Sequence, residues 1–329
     1  MLNKAVRFHE FGAPEEKLEV EEIESSSLSS GEIKVTVKNA PINPADINFI
    51  QGTYGVKPEL PTTPGVEGSG EVLESNADGI AIGDQVIFVN RVGTWQEEVV
   101  CTSEDVYVVP KNLDLAHEQA AMLKVNPLTA LRLLEDYAEL KPGDYVVQNA
   151  ANSGVGQSLI QVAKQLGLKT INLVRREGLE DQLLGLGADH VLIDDADVVV
   201  KIREICGENL PKLACNAVGG DSALRLMDAI EERGHHVTYG AMSLRSIKVP
   251  NKFLIFKRIT IHGLWVTKWI AENDRLAVDA AYTQLAEWVS AGKLVQPIDT
   301  IYPLAEIKSA MKHALQAKKS GKVMLKMNQ

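Results

Sequence analysis

The strongest constraint on what this chain can fold into is the run Gln148-Asn149-Ala150-Ala151-Asn152-Ser153-Gly154-Val155-Gly156-Gln157. A short strand pattern, Asp144-Tyr145-Val146-Val147, precedes it. A helical pattern from Ser158 to Leu166 follows, with apolar residues at 159, 160, 162, 163 and 166. Strand, small-residue turn and helix are what a dinucleotide phosphate site requires. Small residues let the backbone approach a pyrophosphate, and the helix start supplies free N–H groups and a partial positive charge. The candidate contacts are Asn152, Ser153, Gly154, Val155 and Gly156; Ala150 and Ser153 stand where glycines are commoner. A second strand pattern, Lys169 to Val174, ends at Arg175-Arg176. A cofactor with a free ribose 2′-hydroxyl would favour an acid there, whereas two arginines suit a 2′-phosphate, so the residues favour NADPH over NADH. An ordinary strand–helix turn, with solvated arginines and with Asn152 and Ser153 acting only as caps, is the competing reading.

A chain of 329 residues has room for two domains. Residues 1–120 read as mostly β. Short apolar runs (Ile33 to Val37, Gly70 to Leu73, Gln85 to Val89) alternate with turn clusters such as Asn43-Pro44-Ala45-Asp46. This predicts a small barrel-like or sandwich-like domain. Near residue 120 the pattern changes. Glu118 to Leu123 and Thr129 to Tyr137 are helical, and strands then alternate with helices up to a strand at Thr260–Gly263. That alternation predicts an α/β class with a doubly wound parallel sheet. A long helix is expected over Ala271–Ala291, another over Leu304–Ala317, and a final strand over Lys322–Leu325. The β character of the tail predicts that it rejoins the first domain. The boundaries read as 1–122, 123–267 and 268–329, with the ligand at the carboxyl ends of the parallel strands in an interdomain cleft.

Hydrophobic content of 45% and charged content of 24% are those of a globular protein. A net charge of −10 argues against general nucleic-acid binding. Cys101, Cys206 and Cys215 are too scattered for a metal cluster and read as packed free thiols. The strand-like Lys4 to Phe8 begins almost at the first residue, leaving no room for a targeting segment, and no apolar run is long enough to span a membrane. A cytoplasmic protein is therefore expected. No His/Asp/Ser set is legible, and His235-His236 reads as edge packing. Two basic stretches could meet an anionic ligand or an acidic partner, or could simply be solvated faces. One holds Arg245, Lys248, Lys252, Lys257 and Arg258; the other holds Lys308, Lys312, Lys318, Lys319, Lys322 and Lys326.

The chain resembles the medium-chain dehydrogenase/reductase superfamily and, more narrowly, the mitochondrial-type trans-2-enoyl-CoA or enoyl-ACP reductases. The resemblance spans the whole length. It rests on Ile42 to Asn48 with Gln51-Gly52-Thr53-Tyr54, on Gly93-Thr94-Trp95, and on Val125-Asn126-Pro127-Leu128-Thr129-Ala130. It rests also on Gln148 to Gly156, Val174-Arg175-Arg176, Tyr239-Gly240-Ala241-Met242 and Gly263-Leu264-Trp265. Quinone oxidoreductases of the same superfamily share the early Asn, Asp and Tyr pattern. Zinc alcohol dehydrogenases need a Cys/His catalytic set, and no Cys occurs in residues 1–100.

The resemblance implies a Rossmann-type domain joined to a GroES-like, mostly β catalytic domain. It implies NADPH-dependent, zinc-independent reduction of trans-2-enoyl thioesters, with hydride to the β-carbon and a proton to the α-carbon. Tyr54 is the implied proton donor, since a phenol is protonated at neutral pH. Asn126, Tyr239, Gly240, Ala241, Met242, Leu264, Trp265 and Val266 are implied cofactor neighbours, and Lys322 a phosphate contact. Taken alone, Tyr54 could be a surface loop residue, Asn126 a helix cap, Trp265 core or subunit contact, and Lys322 a solvated lysine. Asp46 reads as a turn or helix cap. A homodimer is implied by the family. An NADPH:quinone or enone reductase and a non-catalytic NADPH-binding sensor are the alternatives.

Overall fold

The computed structural model describes residues 2–316 and 319–327. The chain divides into two compact units, Met1–Val125 with Asp274–Gln329, and Asn126–Asn273.

The first unit is built on a seven-stranded sheet. Its long central strand, Glu32–Pro41, pairs antiparallel with Ser69–Ser75, with Glu98–Thr102 and with Lys322–Lys326. Lys322–Lys326 pairs on its other side, parallel, with Ile298–Pro303. Residues from far down the chain thus complete the sheet that the N-terminal part begins. Phe8, Phe88, Trp95 and Ile33 are fully buried at its core, where apolar positions of several strands converge. The short helix Pro44–Ile50 is set at its start by a reciprocal cap: the Asn43 N–H donates to Asp46 Oδ2 at 3.0 Å. Asp46 is therefore the capping acid that its place in Asn-Pro-Ala-Asp suggests.

The second unit carries six parallel strands, β1 (Tyr145–Gln148), β2 (Lys169–Val174), β3 (His190–Ile193), β4 (Leu213–Asn216), β5 (His235–Thr238) and β6 (Thr260–Gly263). They lie in the order β3-β2-β1-β4-β5-β6. The order reverses between β1 and β4, the switch point at which a doubly wound sheet opens a crevice at its carboxyl edge. Helices α1 (Asn126–Glu135), α2 (Gly154–Gln165), α3 (Glu180–Leu186), α4 (Val198–Cys206) and α5 (Gly220–Ala229) connect or cover the strands. Val147, Ile171, Ala214 and Leu226 are fully buried in the core between sheet and helices.

Several helices differ from the pattern of the sequence. The stretch 271–291 is not one helix: Val266–Glu272 ends and Arg275–Ser290 begins anew. Asp274 starts the second helix, its carboxylate accepting the Ala277 N–H at 2.8 Å, and a side chain that bonds its own neighbourhood favours such a start over helix continuation. The stretch from Leu304 opens as a 3-10 turn before a helix over Ile307–Ala314; Ala317 and Lys318 lie outside the described residues. The helix expected over Glu118–Leu123 is one turn, His117–Ala120. Helix α1 begins at Asn126 rather than Thr129, because Pro127 is tolerated in a first turn, where no N–H is needed.

Candidate active site

In the second unit the turn after β1 is shaped atom by atom for a tight backbone. Ala150 takes a left-handed conformation, φ +48°, which a residue with a Cβ adopts only under constraint. Ser153 caps α2: its side chain accepts the Gly156 N–H at 3.1 Å. That cap starts the helix at Gly154, ahead of the Ser158 start that the apolar pattern suggests. A Cβ on Gly156 would lie 2.6 Å from the Ala151 carbonyl oxygen and 2.7 Å from that of Ala150, so only glycine fits. A Cβ on Gly154 would lie against the Asn126 side chain. Below the turn, Gln148 Nε2 bonds the Gly156 carbonyl at 2.9 Å and Asn172 Oδ1 at 2.7 Å. Asn149 Nδ2 donates to Asn216 Oδ1 and to Ser222 Oγ. Buried amides thus tie the ends of β1, β2 and β4 together beneath the glycines.

Along the same carboxyl edge, Arg175 and Arg176 follow β2 and are both exposed. Neither makes an ion pair among the described residues. Tyr239 follows β5 with its N–H bonded to the Asn216 carbonyl. Its hydroxyl is covered and faces the Ser153 side chain; burial pushes that phenol well above its usual range. Gly240 packs on Ala217, and the Met242 N–H reaches the Ala217 carbonyl at 2.9 Å. Leu264 and Val266, after β6, are nearly buried, while Trp265 is 41% exposed between them. Asn152, Gly154, Ala241 and Met242 are exposed, and Val155 is half-buried. This unit therefore gathers Asn126, the 152–156 turn, the arginine pair and the 239–242 and 264–266 segments. The cradle that excludes a Cβ, the free N–H groups of Gly154 and Val155 at the helix start, and two exposed arginines without ion pairs among the described residues fit a dinucleotide bearing a 2′-phosphate.

Tyr54 and Lys322 belong to the first unit. Tyr54 sits half-buried in the turn after Pro44–Ile50, packed on the apolar core, its N–H bonded to the Asn48 carbonyl at 3.1 Å. Gly52 makes this turn at φ +72°. The Arg91 guanidinium lies 4.3 Å from the Phe49 ring centre and 5.4 Å from that of Tyr54. The Arg91 cation also faces the buried Asp46 carboxylate at 3.7 Å. Lys322 is not a solvated lysine: its Nζ donates to Asn43 Oδ1 at 2.6 Å, and burial lowers its pKa. Asn43 Nδ2 in turn donates to Glu67 Oε1 at 2.8 Å. Glu67 Oε2 accepts the Val125 N–H, and burial pushes this carboxyl up to about 7. Lys124, bonded to the Val66 carbonyl, is pushed down to about 7 by the same cause. The sequence marks Asn43 only as part of a turn motif and gives no role to Glu67 or Lys124. An acid set between glycines, Gly65-Val66-Glu67-Gly68, was the one signal available.

The three cysteines are buried free thiols, and burial raises Cys101 to about 12. Among the described residues no cluster of three or more His, Cys, Asp or Glu could hold a metal ion, and no helix is long and apolar enough to cross a membrane.

Comparison with known proteins adds to this geometry. Residues 29–111 match the family model described as alcohol dehydrogenase GroES-like domain, and residues 154–287 the one described as zinc-binding dehydrogenase. The chain is 37% identical to the mitochondrial enoyl-[acyl-carrier-protein] reductase of Homo sapiens, over 98% of this chain and 88% of the relative. A Candida tropicalis structure, the mitochondrial 2-enoyl thioester reductase Etr1p/Etr2p heterodimer, superposes with a TM-score of 0.89 at 29% identity, covering 99% of this chain and 100% of that one. Etr1p in complex with NADP and crotonyl-CoA gives 0.90 at 29% identity, with the same coverage. A Bacillus thuringiensis protein, provisionally described as an NADPH:quinone reductase, gives 0.92 at 27% identity, with full coverage of both chains.

Proposed function

The chain belongs to the 2-enoyl thioester reductases of the medium-chain dehydrogenase/reductase superfamily, and from that premise we propose that it reduces trans-2-enoyl thioesters, enoyl-CoA or enoyl-ACP, with NADPH. The observation that carries this is the pairing of a tight, capped glycine turn with two exposed arginines on the adjacent strand end. Likeness to Etr1p, a protein solved with NADP and crotonyl-CoA, supports it.

Reduction adds hydride to the β-carbon and a proton to the α-carbon, with negative charge on the thioester oxygen in between. When bound, the dihydronicotinamide supplies the hydride. The chain supplies binding, orientation and the proton. Gly154 and Val155 would hold the pyrophosphate through backbone N–H groups, with Asn152, Ser153 and Gly156 shaping the turn, and Arg175 and Arg176 would hold the 2′-phosphate. Tyr239 to Met242, Leu264 to Val266 and Asn126 orient the reactive ring. The Tyr54 hydroxyl donates to the α-carbon or to the developing enolate. Lys322 offers a half-buried cation to a phosphate, steadied by Asn43.

The test is loss of NADPH absorbance with trans-2-hexenoyl-CoA, run beside NADH and a simple quinone. Fast loss with NADPH and the thioester supports the reading. Loss only with the quinone would move the protein to the quinone-reductase branch, a second reading that the Bacillus thuringiensis structure favours.

A homodimer is proposed through the free edge of β6, since Ile255 and Phe256 nearby in the chain are 63% and 78% exposed. Sedimentation of Phe256→Glu against the parent checks it. The cytoplasm is proposed as the location because buried free thiols suit a reducing compartment; cell fractionation checks this against the mitochondrial location of the relatives.

A further inference from the structure

The arginine pair has an acidic neighbour. Ile193 on β3 is in register with Val174 on β2, and the Asp194 N–H donates to the Val174 carbonyl at 2.8 Å. Asp194 therefore stands opposite Arg175 at the next strand end, roughly 5 Å away across the ladder. A free carboxylate there would compete for Arg175 and would repel a 2′-phosphate.

It is not free. Arg225 Nε donates to Asp194 Oδ1 at 2.6 Å and Arg225 Nη2 reaches the Asp194 carbonyl at 3.3 Å. Ser222 Oγ donates to Oδ2 at 2.5 Å and is itself held by Asn149 Nδ2 at 2.8 Å. Both carboxylate oxygens are thus engaged from α5, and the Asp194 side chain is only 6% exposed. The next acid, Asp195, is drawn to Lys201 at 3.1 Å. Arg175 and Arg176 remain exposed, without ion-pair partners among the described residues.

We propose that Arg225 is a positioning residue for coenzyme choice: by holding the Asp194 carboxylate on α5, it keeps that charge from the 2′-phosphate and leaves Arg175 and Arg176 for the dianion. This rests on the NADPH reading. Asn149 joins the device to the glycine turn, because the same amide that holds Ser222 closes the ends of β1 and β4. Coenzyme preference is then set partly by a helix that carries no residue of the arginine pair.

Binding of adenosine 2′,5′-bisphosphate and of 5′-AMP to the full chain, measured by calorimetry, tests it without turnover. The parent should prefer the bisphosphate, and Arg175→Ala should lose much of that preference. Arg225→Met should weaken the bisphosphate roughly tenfold while changing AMP far less. Arg225→Lys, which keeps the cation, should retain the preference, and Arg225→Met with Asp194→Asn should recover it. Equal weakening of both ligands in Arg225→Met, or no recovery in the double variant, overturns the proposal while the NADPH reading stands. No preference in the parent overturns both. Should Arg225→Met fold poorly, Asp194→Asn decides: it should keep the preference, and a tenfold loss would overturn the proposal.

Discussion

Asn126 and Gly154 are so closely apposed that a Cβ built on the glycine would lie 2.4 Å from Asn126 Nδ2. The start of α1 and the start of α2 are thereby one assembly, and the glycine is required by its neighbour's amide rather than by a left-handed backbone.

Gly154→Ala should therefore separate stability from binding. Alanine is favoured over glycine within helices by about 1 kcal/mol, so the melting temperature should change little. The added methyl must displace Asn126, and NADPH affinity should fall by roughly tenfold or more. Thermal unfolding and a fluorescence titration with NADPH check the two halves; unchanged affinity would remove Asn126 and Gly154 from the cofactor site.

Tyr54→Phe keeps the ring on the apolar core and beside Arg91 while removing the hydroxyl. Turnover of an enoyl thioester should drop by roughly a hundredfold, the usual size of a lost general acid, with NADPH affinity unchanged. Steady-state rates with crotonyl-CoA decide this, and an unaltered kcat would rule the tyrosine out as donor.

Lys322→Met removes a half-buried cation from the Asn43–Glu67 network. Glu67 is already raised to about 7 by burial, with Lys322 opposing that rise. A carboxyl whose folded pKa exceeds its unfolded value of about 4.3 binds protons on folding, so stability falls as pH climbs from there to the folded value. Without Lys322 that window should extend upward. Denaturant unfolding at about pH 6 and about pH 8 should show a larger loss at the higher pH in the variant than in the parent. Equal losses would mean that Glu67 does not sense Lys322.

His236 is fully buried on β5, its ring nitrogens without a hydrogen-bond partner among the described residues, and burial pushes it down to about 4. The unfolded chain takes up this proton near pH 6.5 and the folded chain only near 4, so stability should decline as pH falls across that interval, by of order 3 kcal/mol in all. His236→Leu should move the acid-unfolding midpoint to lower pH, as followed by circular dichroism. An unmoved midpoint would assign acid lability to other groups.

Local chemistry made the second unit readable. Strand, glycine turn, helix and arginine pair are all contiguous, and each signals through its own neighbours. The network of the first unit has no such signal, because Asn43 meets Glu67 24 residues on and Lys322 279 residues on. No periodicity records a pairing across that span. The break before Arg275 was hidden for the opposite reason: helical periodicity continues through it, and only the side-chain bond of Asp274 interrupts the backbone. Arg225 was silent in the sequence because its role depends on which acid stands across the ladder.

Strand Lys322–Lys326 lies inside its sheet, between Ile298–Pro303 and Glu32–Pro41. During synthesis, the N-terminal strands must therefore wait with an unpaired edge while the whole of residues 126–273 emerges and can fold as a unit. The lysine that reaches Asn43 arrives with that last interior strand. Assembly of the buried network thus waits on residue 322, and a ribosome that stops before it releases a completed parallel sheet and an incomplete first sheet.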